Sequence, residues 1–285
     1  MDISDISDLA AQIKKTKKYR RIYTPLLERV CAEESAKYAK SKPKDKIKAV
    51  KSRLHAVYGA FCGENCVKSA ETLVFNAKNK TDINNMTEMI ELSGKLMGLS
   101  VSTSERLGFI REFYGFIFNF IPARDIKSVL DAGCGFNPFA LPFMSEAAPD
   151  LNISAYHALD IDEGLAAVIN DYFSLLGLPK YAGCIDIIAE TPPQKTDAAF
   201  LFKIIPTVET CKKGRGFGII NNINAKYIIL SFPTKTLCGK TKNMAENYAD
   251  FFEKNINRDK FKIIAKSVFK NELVYIISRN KNAEE

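Results

Sequence analysis

Val129-Leu130-Asp131-Ala132-Gly133-Cys134-Gly135-Phe136-Asn137-Pro138 reads as an apolar strand that runs into a glycine turn and then into a helix. Glycines at 133 and 135 permit a tight turn and let a ligand approach the main chain, and the helix that follows offers unpaired N–H groups. The turn suits a nucleotide, although a small-residue turn after a first strand also has a purely structural reading. A dinucleotide fold would want a third glycine, as in G-x-G-x-x-G. Pro138 occupies that place, which disfavours a nicotinamide cofactor.

Downstream of Ile126, strands alternate with helices. The pattern predicts strands at Lys127–Asp131, Ile153–Asp160, Tyr181–Ile185, Asp197–Lys203 and Tyr227–Phe232, with helical stretches such as Gly164–Leu176 between them. That spacing is the arithmetic of a parallel sheet with right-handed crossovers. Two more strands, Phe261–Phe269 and Leu273–Ser278, lie only a few residues apart and are therefore antiparallel neighbours. The predicted class is α/β: a Rossmann-like, seven-stranded class I methyltransferase sheet with an antiparallel terminal hairpin, preceded by helices. The expected division is a helical section over 1–104 and a methyltransferase section over 105–285.

Upstream, residues 9–60 show apolar residues near helical spacing, punctuated by Pro25 and Pro43. Lys44–Phe61 reads as a basic amphipathic helix, Thr81–Met86 as the cap of a helix reaching Met97, and Leu107–Ile121 as an aromatic-rich helix. Of the formal net charge of +8, more than the whole surplus sits between Lys14 and Arg53, where fifteen Lys and Arg face four acids. A basic face this concentrated is the footprint of a polyanion, usually nucleic acid, its bland alternative being a solvated lysine-rich surface. The length of 285 residues and 46% apolar content suffice for a large core. Seven scattered cysteines without a signal peptide or long apolar run predict a cytoplasmic protein with reduced thiols and no membrane role. Cys62 and Cys66 lack a second pair at zinc-like spacing, so no metal is expected.

In such a sheet, ligands bind beyond the carboxyl ends of the strands, where strand order reverses. Four charged groups end consecutive strands: Asp131, the Asp160-Ile161-Asp162 run, Asp186 and Lys203. A carboxylate at the second end can accept both ribose hydroxyls of a nucleoside, and one at the third can accept from an adenine amino group. After the fifth strand, Ser231–Tyr248 offers Lys235, Lys240 and Lys242 for phosphates and Phe232, Met244 or Tyr248 to pack on an unstacked base. A flexible surface loop is the alternative reading of that stretch.

Several motifs then recur in order: Lys17-Lys18-Tyr19, Arg53-Leu54-His55, Ser102-Thr103-x-Glu105-Arg106, Asp131-x-Gly133-Cys134-Gly135-x-Asn137-Pro138, Phe202-Lys203-x-x-Pro206, Ser231-Phe232-Pro233-x-Lys235-x-Leu237-x-Gly239-Lys240 and Met244-x-x-Asn247-Tyr248. Together, from about residue 14 to residue 279, they resemble the Arm/Rmt/Sgm family of aminoglycoside-resistance 16S ribosomal RNA methyltransferases. The resemblance implies S-adenosyl-L-methionine as cofactor, S-adenosyl-L-homocysteine as product, and methylation of guanine N7 at guanosine 1405 of 16S rRNA in the assembled 30S subunit. No DNA partner is implied.

By motif position, Arg106 would pair with the methionine carboxylate and Gly133 and Gly135 would approach the cofactor. Asp160 and Ile161 would hold the ribose, Asp186 the adenine, and Asp131 and Phe202 would complete the cofactor site. Lys203, Glu209 and Met244 would face the target nucleotide, and Lys17, Lys18, Arg20, Arg53, His55, Lys235 and Lys240 the RNA. Ser100, Asn243 and Ala245 depart from the family's usual His, Gly and Glu, and Lys270 from a common Gly. Two rivals remain at this point: a methyltransferase for adenine N1 of the same RNA helix, and a non-catalytic RNA-binding protein that keeps the fold.

Overall fold

A computed structural model describes residues 3–59, 64–82, 84–235 and 243–280. At the front, α1 (Ile3–Lys14), α2 (Thr24–Lys37) and α3 (Pro43–Leu54) close a small core of their own around Ile13, Ile22, Leu27, Val50 and Leu54. Proline starts both α2 and α3, where its missing N–H costs nothing and its fixed φ favours the first turn. The basic helix expected over 44–61 is α-helical only to Leu54 and continues as a π-turn over His55–Gly59; residues 60–61 lie outside the described residues.

The next helices, α4 (Glu64–Lys80), α5 (Met86–Met97), α6 (Val101–Leu107) and α7 (Ile110–Phe120), pack on the sheet. Within the predicted cap stretch it is Asn85 that caps α5, its side chain accepting the Thr87 N–H at 3.1 Å and donating from Nδ2 to Glu88 at 3.1 Å. The first of these bonds satisfies a donor that a helix start otherwise leaves open. The helix expected over 107–121 is two helices. The chain breaks at Gly108 and Phe109, where Phe109 leaves helical geometry and stacks on Phe269 with ring centroids 5.7 Å apart.

Seven strands form one sheet: β1 (Ser128–Ala132), β2 (Ala155–Asp160), β3 (Ala182–Cys184), β4 (Lys195–Phe202), β5 (Asn224–Pro233), β6 (Phe261–Phe269) and β7 (Glu272–Arg279), in the order β3-β2-β1-β4-β5-β7-β6. The first five are parallel and β7 runs antiparallel to both β5 and β6, as the spacing predicts. Alternate residues face opposite layers. Val129, Phe200 and Ile276 join one core with α4, α5, α7, α8 (Leu141–Ala147) and α9 (Glu163–Leu175). Leu130, Leu201 and Ile277 join the other with α10 (Ile204–Cys211), α11 (Arg215–Asn222) and α12 (Met244–Asn255). The strand order reverses between β1 and β4, so a crevice opens over the ends of β1, β2 and β4.

Candidate active site

Gly133 and Gly135 adopt φ of +70° and +49°, a left-handed geometry open to glycine at little cost. A Cβ on Gly133 would stand 2.8 Å from Ile204 Cδ1 and would have to displace that side chain, whereas at Gly135 the space is open and only the backbone geometry calls for glycine. The turn is pinned to β2 through N–H bonds from Gly133 and Cys134 to the Leu159 carbonyl, at 2.8 and 3.0 Å. Asp160 locks the same region from its side chain: one oxygen accepts the Gly135 N–H at 2.8 Å and the other the Ile161 N–H at 2.7 Å. Burial raises its carboxyl above the ordinary range, against the pull of those N–H groups. Asp160 lines a cavity together with Gly133, Gly135, Ile161, Asp186, Phe202 and Lys203. Its adjoining wall is apolar, with Leu159, Ile185, Ile187 and Val208.

Arg106 reaches the cavity from α6 while being almost wholly buried, at 1% exposed. Its guanidinium grips Glu272 with two bonds, Nη2 at 2.6 Å and Nε at 3.2 Å, and donates from Nη1 to Asn137 Oδ1 at 2.8 Å. The rings of Phe113 and Phe202 flank it at 4.5 and 4.6 Å. A guanidinium has five N–H groups; three go to Glu272 and Asn137 and Tyr114 engages another, and a carboxylate is the group that a remaining donor at the cavity favours. Burial pushes the Glu272 carboxyl up, but Arg106, and Lys203 more distantly, outweigh it and hold it below its ordinary value.

Asp131 stands behind this arrangement. It does not line the cavity but accepts from Tyr156 Oη at 2.7 Å and from Asn137 Nδ2 at 2.8 Å, which orients Asn137 toward Arg106. Burial lifts its carboxyl to about 7, against those two hydrogen bonds. The folded chain therefore retains a proton that the unfolded chain sheds near pH 4, and linkage makes this group's contribution fall as pH rises from about 4 to 7. We expect the urea midpoint of Asp131→Asn to decline less across that window than the wild-type midpoint; parallel curves would show that Asp131 titrates normally.

Lys203 follows β4 with φ of +56°, an uncommon conformation for a residue with a side chain. Its N–H donates to the Ser231 carbonyl at 3.0 Å. The ammonium meets Glu105 at 3.2 Å and lies 3.7 Å from Glu272, so the strained backbone delivers a cation to the cavity mouth between two acids.

The front helices supply part of the site that sequence reasoning missed. Arg29 on α2 holds the Asp186 carboxylate side-on, with Nε at 2.5 Å from Oδ2 and Nη2 at 3.2 Å from Oδ1. Tyr58 Oη donates to Asp162 at 2.5 Å, Arg21 sits 3.5 Å from the other oxygen of Asp162, and Lys14 pairs with Glu163 at 3.1 Å. The Tyr23 N–H donates to the Ile161 carbonyl at 2.9 Å and Ile22 forms a β-bridge with Asp162. Leu26, Val57 and Tyr58 line the cavity. A run of cations counted only as charge thus includes several that clamp the acid loop after β2 and β3; the acids' own excess at those strand ends was the signal available.

Other expected residues sit elsewhere. Glu209 does not face the cavity: its two oxygens accept the N–H groups of Gly214 and Gly216, each at 2.7 Å, and close the turn into α11. Arg53 donates inward to the Cys211 carbonyl. His55 Nδ1 lies 3.0 Å from Lys18 Nζ on the exposed front face, where Lys17 and Arg20 are also exposed. Lys235 and Met244, both partly buried, are outside the cavity wall, and Lys240 lies outside the described residues. Asn243 starts α12 with φ of +54°, which explains how Asn can stand where glycine is usual, since Asn tolerates this region better than most residues. Ser100 lines the cavity. Among the described residues no group of three or more His, Cys, Asp or Glu could hold a metal ion, and no helix is long and apolar enough to cross a membrane.

The glycine turn, the acid at the end of β2, the apolar wall and the guanidinium of Arg106 fit an adenosyl amino acid such as S-adenosylmethionine. Comparisons agree. Residues 15–276 match the family described as Ribosomal RNA methyltransferase (FmrO). The chain is 29% identical over 274 residues to a 16S rRNA (guanine(1405)-N(7))-methyltransferase of Micromonospora echinospora, covering 96% of this chain and 97% of that protein. A protein of the same name from Proteus mirabilis is 30% identical over 286 residues, covering 96% and 97%. Among solved structures, 16S rRNA methyltransferase RmtF in complex with S-adenosyl-L-homocysteine superposes with a TM-score of 0.82 at 28% identity, covering 98% of this chain and all of that one.

Proposed function

The chain belongs to the ribosomal RNA methyltransferase (FmrO) family, and from that premise we propose that it transfers a methyl group from S-adenosylmethionine to N7 of guanosine 1405 in 16S rRNA, within the assembled 30S subunit in the cytoplasm. What carries the reading is coverage: relatives named for this reaction align across both the front helices and the sheet. In this reading residues 1–104 serve mainly to grip RNA and residues 105–285 to hold cofactor and target.

S-adenosylmethionine, when bound, supplies an electrophilic methyl group on a sulfonium. Guanine N7 carries an available lone pair, so no residue need remove a proton from it. The chain's task is alignment, which can lower a barrier by roughly 7–11 kcal/mol. Arg106 would hold the amino-acid carboxylate, Asp160 a ribose hydroxyl and Asp186 the adenine amino group. Lys203, Lys235, Lys240 and Met244 meet the target nucleotide and its phosphates. The methylated base gains positive charge at N7 and loses an acceptor, so a polycationic aminoglycoside that uses that edge is repelled, and the cell becomes resistant.

The test is incubation of purified protein with 30S subunits and tritiated S-adenosylmethionine, followed by primer extension with and without borohydride–aniline cleavage. Label incorporation with cleavage at position 1405 supports the reading. A stop on an adenine without cleavage points to N1 methylation, and no transfer points to a binding protein. Lys235→Ala should leave S-adenosylhomocysteine affinity unchanged, slow methylation, and make the salt dependence of 30S binding shallower by about one in the log–log slope. Loss of cofactor affinity in that variant, measured by calorimetry, would contradict its assignment to RNA.

A further inference from the structure

Asp186 reaches the cavity with most of its hydrogen-bonding capacity already spent. Oδ1 accepts from Arg29 Nη2 at 3.2 Å and from the Ile188 N–H at 3.2 Å, and Oδ2 accepts from Arg29 Nε at 2.5 Å. A carboxylate oxygen accepts about two hydrogen bonds, so one acceptor position remains, on Oδ2. Asp186 itself is 2% exposed and cannot turn without breaking the side-on pair. Arg29 is in turn steadied by Glu33, one turn further along α2, at 2.8 Å. The same helix places Leu26 on the cavity wall three residues before Arg29, the spacing that puts two side chains on one helical face.

We propose that Arg29 is a positioning residue for purine discrimination: it fixes Asp186 so that a single, outward acceptor meets the cavity and selects an adenine amino group over a hypoxanthine carbonyl. The proposal rests on the assignment of Asp186 to the adenine. An amino group donates to the one open lone pair. A carbonyl oxygen in its place is an acceptor facing an acceptor, and a carboxylate held by two guanidinium N–H groups cannot rotate away to accommodate it. Because Arg29 lies on α2, the selectivity of the sheet's nucleoside site is set from the front helices.

The test compares the affinities of S-adenosyl-L-homocysteine and S-inosyl-L-homocysteine by calorimetry for the full chain and for Arg29→Met, Arg29→Lys, Asp186→Asn and the double variant Arg29→Met/Asp186→Asn, with thermal unfolding recorded for each without ligand. The wild type should prefer the adenosyl compound by roughly 10- to 100-fold, the range of one charge-assisted hydrogen bond. Arg29→Met should weaken that compound about tenfold, with the inosyl compound little changed, so that the preference collapses. Arg29→Lys keeps the charge but not the side-on fork and should lie between; if the methionine variant fails to fold, this variant carries the test, and a wild-type preference in it overturns the proposal. The double variant should discriminate no worse than Asp186→Asn alone, since residues acting through one group are not additive. If Asp186→Asn retains the full preference, the assignment of Asp186 to adenine is wrong and the proposal goes with it. If Asp186→Asn loses the preference while Arg29→Met keeps it, the assignment stands and only the role of Arg29 is overturned.

Discussion

Replacing Arg106 by alanine should lower the stability of the folded chain by about 3–5 kcal/mol, the cost of leaving one member of a buried ion pair without its partner. Glu272 is 0% exposed and loses both guanidinium bonds in that variant. For a chain of this size the melting temperature should drop by roughly 6–20 °C. Restoring an apolar match with Arg106→Met/Glu272→Leu should recover much of the loss, because removing both charges removes the desolvation cost as well. S-adenosylhomocysteine binding, however, should stay weak in the double variant, since the guanidinium of Arg106 is gone from the cavity wall. Thermal unfolding and calorimetry on the two proteins separate these roles. A single variant as stable as wild type would mean that the Arg106–Glu272 pair bears no part of the fold.

Asp160→Ala should abolish measurable cofactor binding, with affinity falling by at least about 100-fold. Oδ1 already accepts the Ile161 and Asp162 N–H groups and Oδ2 that of Gly135, so on the proposed assignment one ribose hydroxyl loses a charged acceptor, a bond worth about 1.5–3 kcal/mol. The Gly135 and Ile161 N–H groups also lose their partner, so the glycine turn is no longer held to the end of β2. Asp160→Asn keeps a carbonyl for one of these contacts and should bind more tightly than the alanine variant. Equal affinity in wild type and Asp160→Ala, by calorimetry with S-adenosylhomocysteine, would remove the nucleoside from this corner of the site.

The sheet was legible because a parallel strand buried on both faces writes itself as an apolar run. Ala198–Phe202 and Ile228–Phe232 are buried throughout, and the glycine turn after β1 marks where the crevice lies. Strand ends shifted by up to three residues, as at Ile153 against the observed start at Ala155 and at Tyr227 against Asn224, because burial and pairing, which periodicity does not report, set where a ladder stops. The break at Gly108 was not legible: aromatic spacing continues across it, and only the distant Phe269 gives Phe109 a reason to turn. Pairings across the fold were hidden for the same reason. Arg29 with Asp186 joins residues far apart in sequence, and Glu272 shows only as an acid at the head of an apolar strand. Glu209 illustrates the converse, a motif acid whose oxygens are consumed by the backbone of a neighbouring turn.

The wall that Leu26, Val57 and Tyr58 add to the nucleoside cavity has a pharmacological consequence. The sheet and its glycine turn form a general architecture, and a compound that copies only the adenosyl group reads only that architecture. These three side chains come from the front helices and form no part of the sheet. An adenosine derivative extended toward them would touch a surface peculiar to this arrangement, and so offers a route to an inhibitor that spares methyltransferases built on the bare sheet.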